Sequence, residues 1–312
     1  MKISETIVTT YKIVHYSDIN FLGRMHGGVM LMGLVDAGML SAMKVAKSLA
    51  VLASLDEVEF KKPVNLGDVI EYKAQVEYIG NSSMEVRIKA YKYNEEIVTA
   101  TSSFVKVNEL LKPIPINEKI EVENDEDKNI LIEALERRRR REKLIADRHR
   151  KKLDTSDPTE GLRYRISTIV QVTPELTYNG KLMSAGKLLK IMDDIGGIIA
   201  HRYIGYPFLT KDNTVTVAIS DTQFFTPARL GDILNIRAGI IYVGNTSLDV
   251  LINVIRQNSS SNEITHVTTS YFTYVRINEN GKPTRLPEYK PQTDKEKFFY
   301  DLSLERRKKN YT

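Results

Sequence analysis

Gly23-Arg24-Met25-His26-Gly27-Gly28-Val29-Met30-Leu31-Met32-Gly33-Leu34-Val35-Asp36 is a glycine-bearing loop that runs into an apolar stretch carrying one acid. The chain says this again at Gly180-Lys181-Leu182-Met183-Ser184-Ala185-Gly186-Lys187-Leu188-Leu189-Lys190-Ile191-Met192-Asp193, with the same spacing from Gly to Asp. The match continues outward in order. Phe60-Lys61-Lys62-Pro63 is answered by Phe224-Phe225-Thr226-Pro227, and Leu66-Gly67-Asp68 by Leu230-Gly231-Asp232. Gly80-Asn81-Ser82-Ser83-Met84-Glu85-Val86 is answered by Gly244-Asn245-Thr246-Ser247-Leu248-Asp249-Val250, and Phe104-Val105-Lys106-Val107-Asn108 by Tyr274-Val275-Arg276-Ile277-Asn278. Similarity that keeps its order from the first loop to the last strand marks a duplicated folding unit. The copies differ at the mouth of the helix, where His26-Gly27-Gly28 stands against Met183-Ser184-Ala185.

The 312 residues suffice for two domains, each with its own core. Apolar and charged contents of 42% and 27% are those of an ordinary soluble globular protein. Without cysteine the chain has no disulfide framework, thiol nucleophile or thiolate metal site. The opening Met1-Lys2-Ile3-Ser4-Glu5-Thr6 has no apolar signal core, and no apolar stretch is read as long enough to span a membrane, so a cytoplasmic location is expected. The net charge of +5 comes from one place: ten Lys and Arg between Arg137 and Lys152, opposed only by Glu142 and Asp147. The rest of the chain is slightly acidic, and its aromatics are not interleaved with the basic run, which argues against nucleic-acid binding.

In the first copy, residues 11–16 read as an extended lead-in, 17–28 as a loop, and the Pro-free 29–48 as a helix of about five turns. Strands are expected over 51–60, 68–78, 83–93 and 97–107, with turn signals between them. The second copy repeats the order, with a helix over 185–203 and strands over 213–221, 232–242, 247–257 and 264–277. One long helix followed by an antiparallel meander is an α+β unit, and does not suit the strand–helix alternation of a Rossmann fold. Each copy ends in a basic helix, Leu135-Glu136-Arg137-Arg138-Arg139-Arg140 in a charged helix over 125–153 and Leu304-Glu305-Arg306-Arg307-Lys308-Lys309. The expected domains are residues 1–110, a linker with its basic helix over 111–158, residues 159–282, and a basic helical tail over 283–312.

With these residues laid out, the chain resembles the double-hotdog acyl-CoA thioesterases of the brain-type acyl-CoA hydrolase family. Asp18-x-Asn20-x-x-Gly23-x-x-His26-Gly27-Gly28 followed by a helix is similar to that family's opening signature. Lys190-Ile191-Met192-Asp193-Asp194-Ile195-Gly196-Gly197 resembles its second-half helix, and Gly80–Val86 its strand motif. The resemblance implies tandem hotdog folds, each a long central helix wrapped by a curved antiparallel sheet, related by a pseudo-twofold axis. It implies hydrolysis of fatty acyl-CoA to free fatty acid and coenzyme A, no cofactor, and a homotrimer of double-hotdog chains. It also implies one working composite site at the interface of the two units, where Asn20 pairs with Asp193, and a degraded reciprocal site of Asp36 with Thr177.

Asp193 is the leading catalytic candidate. A carboxylate on a helix of Leu188, Leu189, Ile191, Met192 and Ile195 is costly to bury, and desolvation raises its pKa toward that of a general base or nucleophile. The repeat selects it over Asp194, read as a solvated surface acid, because Asp193 aligns with Asp36. Asn20 is by default a turn former; the family signature gives it a part in holding water or the substrate carbonyl. Gly27 and Gly28 sit where helix amides lack intrahelical acceptors, a place for oxyanion-hole chemistry, against a bland reading as loop flexibility. His26 is a candidate substrate-binding residue, and a lone His is more often a hydrogen-bonding or packing residue than an acid–base group. Asn81, Ser82 and Ser83 are candidates for the nucleotide or pantetheine path. Arg137 and Arg138 are candidates for the phosphates of coenzyme A, against the usual solvated helix face. The five His residues show no ligand spacing, so no metal is expected. The alternative functions are a non-catalytic acyl-CoA sensor and a hydratase, for which Asp18 and His26 are poorly spaced.

Overall fold

The computed structural model describes residues 1–20, 22–145, 148–205 and 213–310. The chain folds as two compact units. The first takes in residues 1–25, 29–153 and 221–225; the second takes in 26–28, 154–220 and 226–312. The tripeptide His26-Gly27-Gly28 therefore belongs to the second unit, although it lies far upstream of it in sequence.

The first unit begins with the short helix α1 (Ile3–Thr6) and strand β1 (Val8–Ile13), then α2 (Gly27–Ala46) and strands β2 (Ala50–Phe60), β3 (Val69–Ile79), β4 (Ser83–Lys92) and β5 (Glu95–Lys106). Its strand order is β1-β3-β4-β5-β2. β3 pairs antiparallel with β1 and β4, and β5 with β4 and β2. Two-residue periodicity divides β4 between two faces. Ile88 meets α2 at Gly38, beside Phe104 of β5. Both side chains are fully buried, and each contributes roughly 1.5–3 kcal/mol by leaving water.

The opposite face of β4 carries Glu85 and Arg87, and there α3 (Asp125–Ile145) lies against the sheet. Arg137 and Arg87 both pair with the buried Glu77, in the β3 bulge. Arg141 pairs with the buried Glu85 and donates to Ser54 Oγ at 3.1 Å. Removing one partner of such a buried pair costs about 3–5 kcal/mol, because the other charge stays desolvated. Of the helix expected over 125–153, α3 and α4 (Arg148–Leu153) are helical, and residues 146 and 147 lie outside the described residues.

One expectation is corrected here. α2 is 20 residues long and, by length and composition, apolar enough to cross a membrane. Its Leu31, Leu34, Val35, Ala42 and Val45 are buried inside the unit, and the core helix of a globular fold passes the same test.

The second unit repeats the plan: β6 (Arg165–Gln171), α5 (Ala185–Ile204), β7 (Asn213–Phe224, as far as Ser220 in this unit), β8 (Ile233–Val243), β9 (Ser247–Gln257), β10 (Ile264–Ile277) and α6 (Asp294–Asn310). The order β7-β10-β9-β8-β6 mirrors that of the first unit. Ser184 caps α5, its Oγ accepting the Lys187 amide at 3.3 Å, and Gly205 ends the helix at φ 83°. Leu188, Leu189, Met192, Ile195 and Ile199 turn the apolar stripe of α5 inward. On the other face, Phe299 of α6 closes a cluster with Leu162, Ile241 and Leu251. Arg307 grips Asp249 through two hydrogen bonds, of 2.6 and 3.0 Å, and lies over the ring of Tyr242.

Candidate active site

Asp193 sits near the middle of α5 with none of its surface exposed. Thr216 of β7 donates its hydroxyl to Oδ1 at 2.6 Å. The hydroxyl of Tyr274, on β10, lies 3.0 Å from the same oxygen and 3.0 Å from the Asp193 carbonyl. The Gly28 amide donates to Oδ2 at 2.6 Å. Burial pushes the carboxyl pKa up; electrostatic attraction toward the His26 ring and the Thr216 and Tyr274 hydrogen bonds hold it back. Burial and the Asp193 charge likewise push the Tyr274 phenol well above its ordinary range, so it remains a donor. Each carboxylate oxygen has room for more than one hydrogen bond, and Oδ2 keeps capacity for a proton.

The glycine pair has a structural reason that differs from loop flexibility. A Cβ on Gly27 would stand 2.8 Å from Thr216 Cβ, and one on Gly28 would stand 2.8 Å from the Lys190 Cα. Only glycine lets this first helical turn close down on Asp193. The expectation that both amides serve an oxyanion is corrected for Gly28, whose N–H is given to the carboxylate at a positive helix end, where anions are favoured.

His26 lies at the edge of this cluster. Its Nδ1 is 3.2 Å from Asp193 Oδ2 and its Nε2 is 3.4 Å from Asp194 Oδ1. Asp194 is also tied to Lys190, one turn earlier, at 2.8 Å. Adjacent helix positions diverge, yet an imidazole with nitrogens on two edges comes near both acids, the buried Asp193 and the 39% exposed side chain of Asp194.

The other candidates are engaged within their own units. Asn20 Oδ1 accepts the amides of Leu22 and Arg24, at 3.0 and 3.2 Å, and so shapes its own loop. In the second unit Thr177 donates to Pro174 O and accepts from the Gly180 amide, while Asn179 Oδ1 accepts from Lys181 and Leu182. Asp36 is exposed, in contrast to Asp193. Ser83 meets Arg138 at 3.0 Å beside a cavity of about 100 Å³, whose lining includes Ser54, Ser103 and Arg141. Asn81 and Ser82 accept backbone hydrogen bonds from Ile116 and Lys106 through their carbonyls. Arg137 is occupied by Glu77, so of the two arginines Arg138 keeps the larger exposed surface, 29% against 11%. Among the described residues no three His, Asp or Glu side chains group as a metal site.

Thr216 and Tyr274 escaped the reading of the sequence, although the repeat holds a signal for both. Tyr274 answers Phe104, and Thr216, counted back from the matched Phe224 and Phe60, answers Leu52. At both positions a hydroxyl replaces an apolar side chain in the copy whose acid is buried.

Two units of one long helix against an antiparallel sheet, one of them enclosing a desolvated acid at a helix mouth, define a tandem hotdog protein. The model of the thioesterase superfamily matches residues 22–99 and again 180–261, just over half of the chain, and the chain belongs to that superfamily with its domain present twice. It is 26% identical over 312 residues to the cytosolic acyl coenzyme A thioester hydrolase of Mus musculus, covering 93% of this chain and 79% of that protein. Protein VdlD of Helicobacter pylori is 35% identical over 155 residues, covering 50% of this chain and 82% of that protein. The solved structure of an acyl-ACP thioesterase from Bacteroides thetaiotaomicron has a TM-score of 0.55 at 12% identity, covering 88% of this chain and 100% of that one, a likeness of fold.

Proposed function

We propose that the chain hydrolyses acyl-CoA thioesters, with Asp193 as general base. The observation that carries this reading is the fully buried Asp193 carboxylate, held by one amide and two hydroxyls and raised in pKa. Oδ2 takes a proton from water as the water oxygen bonds to the thioester carbonyl carbon. The tetrahedral intermediate then expels the coenzyme A thiolate, leaving the fatty acid. Gly27 supplies the oxyanion amide in this scheme, and Asn20 assists on the strength of its motif. Ser83 and Arg138, with Asn81 and Ser82 nearby in sequence, stand as the route for the coenzyme A arm, with Arg138 in the phosphate role.

Asp36 and Thr177 form the silent counterpart in this reading. Asp36 is exposed, Thr177 is engaged in its own turn, and the copies of Thr216 and Tyr274 are the apolar Leu52 and Phe104. The name of the mouse relative supports a cytosolic location, and the family resemblance a homotrimer, which light scattering of the purified chain tests.

The deciding experiment is hydrolysis of a panel of CoA thioesters by wild type, Asp193→Asn and Asp36→Asn. Asp193→Asn is expected to lose about 10²–10⁴-fold in kcat, and Asp36→Asn to keep wild-type turnover. The reverse pattern sinks the assignment, and binding of the panel without turnover by wild type makes the chain a sensor.

A further inference from the structure

Asp193 has no exposed surface, so a proton taken from water has no direct way from Oδ2 to solvent. The groups next to it become steadily more exposed: the side chain of His26 is 30% exposed and that of Asp194 39%. Asp193 Oδ2 stands 3.2 Å from His26 Nδ1, and His26 Nε2 stands 3.4 Å from Asp194 Oδ1. Such separations are long for hydrogen bonds, as catalytic contacts often are before substrate binds. The Gly28 amide is within reach of both ends of the first gap, 2.6 Å from Oδ2 and 3.2 Å from Nδ1. It can therefore satisfy whichever of the two has just lost its proton. Among the described residues Asp193 and Asp194 are the charged groups paired with the imidazole, and Lys190 Nζ pairs with Asp194 at 2.8 Å.

We infer that His26 is the proton exit of Asp193, with Asp194 as the positioning residue that holds the ring and receives the far proton. The inference rests on the reading of Asp193 as general base. After attack, the proton on Oδ2 passes to His26 Nδ1 while the proton on Nε2 leaves toward Asp194 and water. The departing thiolate takes a proton from the same solvent. One proton enters the relay and one leaves it, and Asp193 returns to its ionised form. The first repeat is the only copy with His at this position: His26 is answered by Met183, which carries no proton.

The test measures hydrolysis of a CoA thioester that wild type turns over, by the full chain as wild type, His26→Ala, His26→Asn, Asp194→Asn and Asp193→Asn. Each is followed across pH, with and without added imidazole. His26→Ala is expected to lose about 10²-fold in kcat with little change in KM, and imidazole to restore part of the rate in proportion to its concentration. Asp194→Asn is expected to lose several-fold and to change the pH profile of kcat. Wild-type kcat in His26→Ala overturns the inference. So does recovery of the rate in His26→Asn, which keeps a polar group against Gly28 but carries no mobile proton, because the role would then be packing. An unchanged rate and pH profile in Asp194→Asn removes Asp194 from the relay. Full activity of Asp193→Asn instead brings down the general-base reading itself, whatever the His26 variants do.

Discussion

The Tyr274 hydroxyl lies 3.0 Å from Asp193 Oδ1, in space that a Cβ on Gly196 would occupy. Asp193 and Gly196 are three residues apart on α5 and so share a face. The missing side chain of one admits the donor that holds the other. Tyr274 is thereby fixed as a donor to the ionised carboxylate rather than as a neighbour that merely packs beside it.

Tyr274→Phe should lower kcat about tenfold, the worth of one hydrogen bond of about 1.4 kcal/mol to a charged acceptor. The hydroxyl favours the ionised form, so its removal raises the Asp193 pKa further. The acid limb of kcat/KM should therefore move to higher pH. A pH–rate series on both proteins checks this, and an unmoved limb contradicts the assigned role.

Gly196→Ala places a Cβ 2.1 Å from the Tyr274 hydroxyl oxygen. Overpacking of this kind costs roughly 1–3 kcal/mol, offset in part by the better helix propensity of alanine, worth about 1 kcal/mol. Urea unfolding should show a net loss in Gly196→Ala and a smaller one when Tyr274→Phe is added, because the clashing oxygen is gone. Strict additivity of the two substitutions would refute the shared-space account.

The raised pKa of Asp193 has a consequence for stability. In the unfolded chain an aspartate ionises near pH 3.9, whereas in the fold it holds its proton to higher pH. Between those two values the folded state binds more protons, so stability falls as pH rises, and the full loss persists above the folded pKa. Asp193→Asn should therefore melt a few degrees above wild type at neutral pH, and the gain should fade below the unfolded value. Thermal melts across pH test the sign.

Asn20 offers a separable pair of variants. Its Oδ1 holds the amides of Leu22 and Arg24, a role that aspartate keeps and alanine loses. If the side-chain NH2 also serves the reaction, Asn20→Asp should be as slow as Asn20→Ala. Recovery of kcat in Asn20→Asp would confine Asn20 to shaping its loop.

The duplication, the helix-then-meander order and the burial of Asp193 within its helix were legible in the sequence. Each is written in local periodicity, turn residues and the alignment of one copy with the other. The acid's surroundings were legible only in part. Phe104 facing Tyr274 in the repeat was visible, but its meaning depended on Gly196 being packed against β10. The arginines show the same limit. The sequence marks a basic helix, while burial of Glu77 and Glu85 beneath it turns Arg137 and Arg141 into clamps on a sheet.

By itself the sequence determined the two folds and the asymmetry between copies, because backbone periodicity and side-chain chemistry are properties of neighbours along the chain. Tertiary structure alone decided that the Gly28 amide serves Asp193 and that the His26 ring comes within 3.2 Å of Asp193 and 3.4 Å of Asp194. Gly28 and Asp193 are 165 positions apart. Glycine encodes no partner in its side chain, so only the packing of one helical turn on another determines what its amide meets.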